Sequence, residues 1–210
     1  MKMEKEKEKE VDINVIILGD KGVGKTSIFN ILKEGESNEN NNINDIDCIN
    51  IKRKYDKKNK IISLNIKDIK EQDNFKGNIP MQYIINNNII LLVFCNIKTL
   101  NSIKEKWYKY CNEKLNNVKY ILIGNKYDEN NNEEKEMIEE GQKFAEEIDA
   151  HFITCSAQSK DNLDNLERFI ITEAKNIIDN ADKRPNNSNN NAQKIILERE
   201  NNNTCCNCEN

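Results

Sequence analysis

Val15-Ile16-Ile17-Leu18-Gly19-Asp20-Lys21-Gly22-Val23-Gly24-Lys25-Thr26 is the stretch that decides the fold. Its first four residues form a short continuous apolar run, the pattern of a strand buried on both faces of a parallel sheet. Ser27-Ile28-Phe29-Asn30-Ile31-Leu32 then continues at helical spacing. A strand that turns through glycines into a helix aims several backbone N–H groups at one point, where the helix dipole also favours negative charge. Gly19 and Gly24 take the fixed glycine positions of GxxxxGK[ST], so the loop reads as a phosphate cradle. Asp20, Lys21, Gly22, Val23, Gly24, Lys25, Thr26 and Ser27 are its expected contacts, with Lys25 reaching the β- and γ-phosphates and the Thr26 hydroxyl ligating Mg²⁺.

The 210 residues suffice for one α/β domain with tails. Charged residues make up 32% and hydrophobic ones 37%, high and low for a globular chain, so the apolar residues must be concentrated in a few segments. A net charge of −4 gives no electrostatic reason to expect nucleic acid as a partner, which needs a basic face. The longest apolar run, Ile89 to Cys95, falls far short of the roughly 20 residues of a membrane-spanning helix. The N-terminus is charged and lacks the apolar segment of a secretory signal, so a cytosolic protein is expected. Cys48, Cys95, Cys111 and Cys155 lie singly in apolar or helical stretches and read as reduced thiols.

Further along, apolar runs alternate with helical periodicity. Residues 1–11, rich in alternating Lys and Glu, read as a charged, solvated leader. After a polar, Asn-rich loop over 34–44, residues 48–55 and 60–66 alternate apolar and polar positions around Asp56-Lys57-Lys58-Asn59, which predicts a hairpin with one buried face. A short helix is expected over 79–85, and Ile89-Ile90-Leu91-Leu92-Val93-Phe94 is a second buried strand. Ile103, Trp107, Tyr110 and Cys111 share one face of the helix that follows. Tyr120-Ile121-Leu122-Ile123, a helix over 133–148, the strand Phe152-Ile153-Thr154-Cys155 and a final helix from Leu163 complete the pattern. The expected fold is a doubly wound α/β domain over 12–180. Its six-stranded sheet is mostly parallel with one antiparallel edge strand, and the phosphate loop sits at a carboxyl end, where such sheets bind ligands. Residues 181–210 read as a disordered tail.

The strand Tyr120 to Ile123 runs into Gly124-Asn125-Lys126-Tyr127-Asp128. A carboxylate there can accept hydrogen bonds from the N1–H and N2 amino group of guanine, donors that adenine does not offer, so Asp128 reads as a guanine selector. Together with Ser156-Ala157-Gln158 after the last strand, these motifs stand in the order and spacing of the Ras superfamily. The chain resembles a small GTPase of its Rab branch from about Asp12 to Asp179. The resemblance implies the P-loop NTPase fold of a small G domain, GTP or GDP as ligand and Mg²⁺ as cofactor. It also implies that Asn125 braces the loops, that the Lys126 stem packs over the base, and that the Ser156-Ala157 turn offers a backbone N–H to the guanine O6. Gln158 stands where lysine is usual.

The resemblance breaks at the two switches. The family's Trp-Asp-Thr-Ala-Gly-Gln-Glu aligns with Lys67-Asp68-Ile69-Lys70-Glu71-Gln72-Asp73. Asp68 is placed to hold Mg²⁺ through a water, and Gln72 to orient the attacking water. Glu71 replaces the glycine whose N–H meets the γ-phosphate, adding a Cβ and a negative charge. No threonine lies between Thr26 and Thr99, so the Mg²⁺-ligating threonine of the first switch is missing, with Asp45 near its place. Lys21 occupies a position where bulk hinders hydrolysis, and Lys67 replaces a tryptophan that Rab proteins offer to effectors. Either the chain is a divergent GTPase of low intrinsic turnover, or it binds guanine nucleotide as a non-hydrolysing scaffold that recruits partners. An ATP-dependent P-loop enzyme is disfavoured by Asn125 to Asp128.

The last residues, Thr204-Cys205-Cys206-Asn207-Cys208-Glu209-Asn210, bring three thiols together. Three cysteines make an incomplete zinc site, and disulfides are poor candidates in the cytosol. Resemblance to Rab proteins, which end in paired prenylated cysteines, points to Cys205 and Cys206 as lipidated and to Cys208 as a third candidate, although the ending is not a C-a-a-X box. Ile195-Ile196-Leu197 reads either as a stray solvated triplet or as a docking segment for Rab escort proteins. The resemblance implies a peripheral protein on the cytosolic face of endomembranes, in vesicle-mediated intracellular protein transport. Escort or GDI-like proteins, an exchange factor and effectors would be its partners.

Overall fold

The computed structural model describes residues 9–34, 46–55, 60–69, 79–126, 132–159 and 162–183. By internal packing the chain divides into Met1–Ile177, which carries the sheet, and Ile178–Asn210, of which only the last turns of a helix are described. The elements are β1 (Lys9–Leu18), α1 (Lys25–Lys33), β2 (Ile46–Tyr55), β3 (Lys60–Ile69), α2 (Met81–Ile84) and β4 (Ile89–Phe94). One continuous helical stretch follows, made of α3 (Ile97–Ser102), a π-helical segment (Ile103–Tyr108) and α4 (Lys109–Lys114). β5 (Lys119–Asn125), α5 (Asn132–Glu147), β6 (His151–Cys155) and α6 (Leu163–Asp182) complete the series.

The six strands form one sheet in the order β2-β3-β1-β4-β5-β6. All neighbours are parallel except β2 and β3, which pair antiparallel from Ile46↔Ile69 to Tyr55↔Lys60. The expected architecture, a mostly parallel six-stranded sheet with one antiparallel edge, is the observed one. All six residues of β4 are buried, as are six of the seven in β5. Both are interior strands of the sheet, and a strand covered on both faces carries such an uninterrupted apolar run.

Alternation distributes those residues between two helical layers. Ile16, Leu18, Ile90, Leu92, Phe94 and Leu122 pack against Leu100, Ile103 and Trp107 of the helix after β4 and against Met137 and Phe144 of α5. The opposite face carries α1 and α6. Glu167 of α6 reaches Arg53 of β2 at 2.7 Å, and Glu173 meets His151 Nε2 at 2.8 Å, with the His151 ring stacked on Phe169. His151, the only histidine, thus fastens the start of β6 to α6, at the end of the strand away from the phosphate loop.

Three details depart from expectation. β1 begins at Lys9, inside the stretch read as a solvated leader, and runs parallel to β3 from Lys9↔Lys60 onward. Its first residues are polar because this face of the sheet is open. Lys52 of β2 bonds Glu10 at 2.8 Å, and a row of amides crosses the strands: Asn50 Nδ2 donates to Asn65 Oδ1 (2.7 Å) and Asn65 Nδ2 to Asn14 Oδ1 (3.3 Å). Asparagine is a weak strand former, and these cross-strand bonds offset that cost. The final helix continues to Asp182, past the boundary expected at 181, because its helical pattern persists there. The helix after β4 buries Ile103, Trp107 and Cys111 as expected but widens into π geometry between 103 and 108.

Phe94 is fully buried, stacked at 6.3 Å on Phe152 and close beneath Gly141 of α5. Phe94→Ala should leave a cavity between β4 and α5 and lower unfolding free energy by about 3–5 kcal/mol, measured by urea denaturation.

Candidate nucleotide-binding site

The carboxyl ends of β1, β3, β5 and β6 meet at one edge of the sheet, on both sides of the point where strand order reverses about β1. Every described residue assigned to the site from sequence lies there. Gly19, Gly22 and Gly24 have φ of 154°, 78° and 99°, values that favour glycine. Two of them are also fixed by close approach. A Cβ on Gly19 would strike the Val93 carbonyl of β4, and one on Gly24 would strike the Asn125 side chain.

The loop delivers the chain into α1 with Gly24 as N-cap, no side-chain cap and no acid in the first turn. The first N–H groups of α1 therefore face the loop, as an anion site requires. Lys25 folds back over that concavity, its ammonium donating to the carbonyls of Gly19 (2.9 Å) and Asp20 (2.7 Å). Val23 is buried, whereas Lys21, Gly22, Thr26 and Ser27 are exposed. The Thr26 hydroxyl donates to Asp68 Oδ2 at 2.6 Å, and Asp68 is itself fully buried at the end of β3, in register with Ile17. A hydroxyl and a buried carboxylate make a hard oxygen pair that suits Mg²⁺, which takes few protein ligands and completes its shell with phosphate and water. No group of three or more metal-ligating side chains occurs among the described residues.

Asn125 ends β5 with 1% of its surface exposed and its amide bonded through both nitrogen and oxygen. Nδ2 donates to the Val23 carbonyl (2.8 Å), and Oδ1 accepts from the Ala157 N–H (3.1 Å) and from Cys155 Sγ (3.8 Å). Lys126, at φ 66°, stretches along the loop and donates to the Gly22 carbonyl at 2.6 Å. Ser156 is buried and accepts from the Ser159 N–H at 3.3 Å; Gln158 is exposed beside it. Burial pushes the Cys155 thiol up to about 12, so it packs as a neutral group. Asp128, Glu71, Gln72, Asp45, Ile195 to Leu197, Cys205, Cys206 and Cys208 lie outside the described residues.

One relation was not visible in the sequence. The Asp20 carboxylate turns away from the phosphate cradle, toward Ser102 and Trp107 on the helix after β4. The signal available was the indole, since a buried Trp N–H normally finds an acceptor.

The model of the Ras family matches residues 14–176, which contain all of this constellation. The chain belongs to the Ras family. Within that family it is a divergent, Rab-like member. It is similar to the "Ras-related protein SEC4" of Candida albicans, at 26% identity over 172 residues that cover 80% of each chain. It is also similar to the "Ras-related protein Rab-5B" of Plasmodium falciparum, at 25% identity over 167 residues and 79% of each.

Asn125→Ala would strip the Val23 carbonyl and the Ala157 N–H of their partner at a buried position. Urea denaturation should show a loss of about 1–3 kcal/mol for each group left unsatisfied.

Proposed function

We propose that this Ras-family chain is a Rab-type guanine-nucleotide switch of low intrinsic turnover that acts in vesicle-mediated membrane traffic. The observation that carries the reading is the Asn125 amide, which joins the phosphate loop to the Ser156-Ala157 turn and so sets a phosphate cradle beside a base-reading turn. In this reading, residues 20–27 wrap the phosphates with backbone N–H groups, and Lys25, held by the Gly19 and Asp20 carbonyls, turns its remaining donor capacity to the β- and γ-phosphates. Lys126 and Asp128 hold guanine with Ser156, Ala157 and Gln158, and a carboxylate acceptor left unpaired by adenine gives the selectivity.

Thr26 Oγ1 and, through a water, Asp68 would hold Mg²⁺, which neutralises charge on the phosphates when bound. Gln72 orients the attacking water. Glu71, in place of a glycine at the γ-phosphate, and the missing switch threonine account for slow turnover. The same two substitutions support a second reading, a nucleotide-stabilised scaffold that does not hydrolyse GTP. Residues 12–180 serve as the G domain in either reading. The tail attaches the protein to the cytosolic face of endomembranes through lipids on Cys205 and Cys206, with Cys208 as a third site. Escort or GDI-like proteins, an exchange factor and effectors are the proposed partners.

The nucleotide that co-purifies with the folded chain is expected to be GDP or GTP by ion-pairing chromatography; adenine nucleotide, or none, would sink the proposal. Single-turnover GTP hydrolysis should be slow in the parent chain and rise about tenfold or more in Glu71→Gly, given that one transition-state donor is worth about 10²–10³ in rate. A silent parent rescued by glycine would instead select the scaffold reading. For the tail, the double variant Cys205→Ser, Cys206→Ser expressed in a prenylating cell should move from the membrane fraction to the supernatant, and continued partitioning would refute the lipid assignment.

A further inference from the structure

We propose that Ser102, Lys106 and Trp107, on the π-helical segment after β4 and at its start, are positioning residues for the phosphate loop, and that they set nucleotide residence time by holding the Asp20 carboxylate. A single oxygen gathers all three: Asp20 Oδ1 lies 2.8 Å from Ser102 Oγ, 2.8 Å from Trp107 Nε1 and 3.8 Å from Lys106 Nζ. The Lys106 ammonium also stands 4.4 Å from the centre of the Trp107 ring, so cation and indole brace each other around the same acceptor.

The π geometry makes this grouping possible. In an α-helix, residues three or four apart share a face, and residues five apart diverge. Where bonds run from i to i+5 the helix is wound more loosely, which brings residues five apart closer to one face than an α-helix does, and Ser102 and Trp107 are such a pair. Segments of this kind occur mostly as single turns, frequently at functional sites. Here the turn faces the phosphate loop.

The same residue is held at both ends. While its carboxylate is held by the helix, the Asp20 carbonyl accepts the Lys25 ammonium at 2.7 Å. Releasing the carboxylate frees the peptide that orients Lys25 and lets the loop sample conformations that do not grip phosphate. Trp107 is 2% exposed, so its N–H loses its protein partner inside the fold if Asp20 moves, and the latch favours one loop conformation over the alternatives. The inference rests on the reading of this site as a nucleotide site.

The test is the dissociation rate of N-methylanthraniloyl-GDP from the full chain, chased with excess GDP. Trp107→Phe keeps an aromatic ring, smaller than the indole, and removes the donor. It should speed release about tenfold, near the low end for a hydrogen bond to a charged group, and Ser102→Ala, at a partly exposed position, about threefold, as for an ordinary hydrogen bond. Asp20→Ala should be at least as fast, and Asp20→Asn, which keeps an acceptor but not the charge facing Lys106, should fall between it and the parent. The double variant Asp20→Ala, Trp107→Phe should release no faster than Asp20→Ala alone, because both changes cut the same bond. A general weakening of the fold would instead make the two effects multiply. Rates in Trp107→Phe and Ser102→Ala within twofold of a nucleotide-binding parent, or multiplying effects in the double variant, would overturn the latch alone. A parent chain that binds no labelled GDP would overturn the nucleotide reading and the latch with it. Ser102→Ala removes a single oxygen from a partly exposed position and remains informative if the tryptophan variant fails to fold.

Discussion

One buried amide fixes three segments that are far apart in the chain. Asn125 presents a donor to Val23 and an acceptor to Ala157, and its bulk requires Gly24 to lack a side chain. With 1% of its surface exposed, water cannot replace those bonds, so each unmade one costs the full desolvation of the group left behind. The phosphate loop and the turn after β6 are therefore held in a common frame by β5, whose buried run of aliphatic residues carries Asn125 to the sheet edge. Lys126 follows by the same route, adopting a positive φ that lets its stem lie along the loop to the Gly22 carbonyl.

The parts of this arrangement that were legible in the sequence are those with local causes. Glycines at left-handed φ mark the phosphate loop because other residues resist that conformation, and uninterrupted apolar runs mark β4 and β5 because they are covered on both sides. Illegible features depend on partners distant in the chain. Lys9 to Asp12 look like a solvated leader until the open face of β3 is beside them, where the same polar residues are suited to a strand that faces water on one side. The π turn leaves no trace in the apolar pattern, since Ile103, Trp107 and Cys111 are spaced by four and bury equally well with or without it. The Asp20 latch joins residues 82 and 87 positions apart, and neither Ser102 nor Lys106 belongs to any local motif. The stretch Asn125 to Asp128 was recognisable as a pattern, but the bracing role of Asn125 becomes physical only when Val23 and Ala157 are seen on either side of its amide.

The latch also bears on a problem of charge. An aspartate inside a loop proposed to bind polyphosphate would stand near other negative groups, and two such charges 4 Å apart repel by about 1 kcal/mol in water and about 4 kcal/mol at a protein surface. Rotating the carboxylate out of the cradle and onto Ser102, Trp107 and Lys106 removes it from that encounter and gives it hydrogen bonds in place of lost water. What remains toward the ligand is the Asp20 backbone, whose carbonyl holds Lys25 with that of Gly19. The acidic side chain thus turns its charge toward Lys106 and away from the ligand. An arrangement that depends on this rotation ties the phosphate loop to the helix after β4.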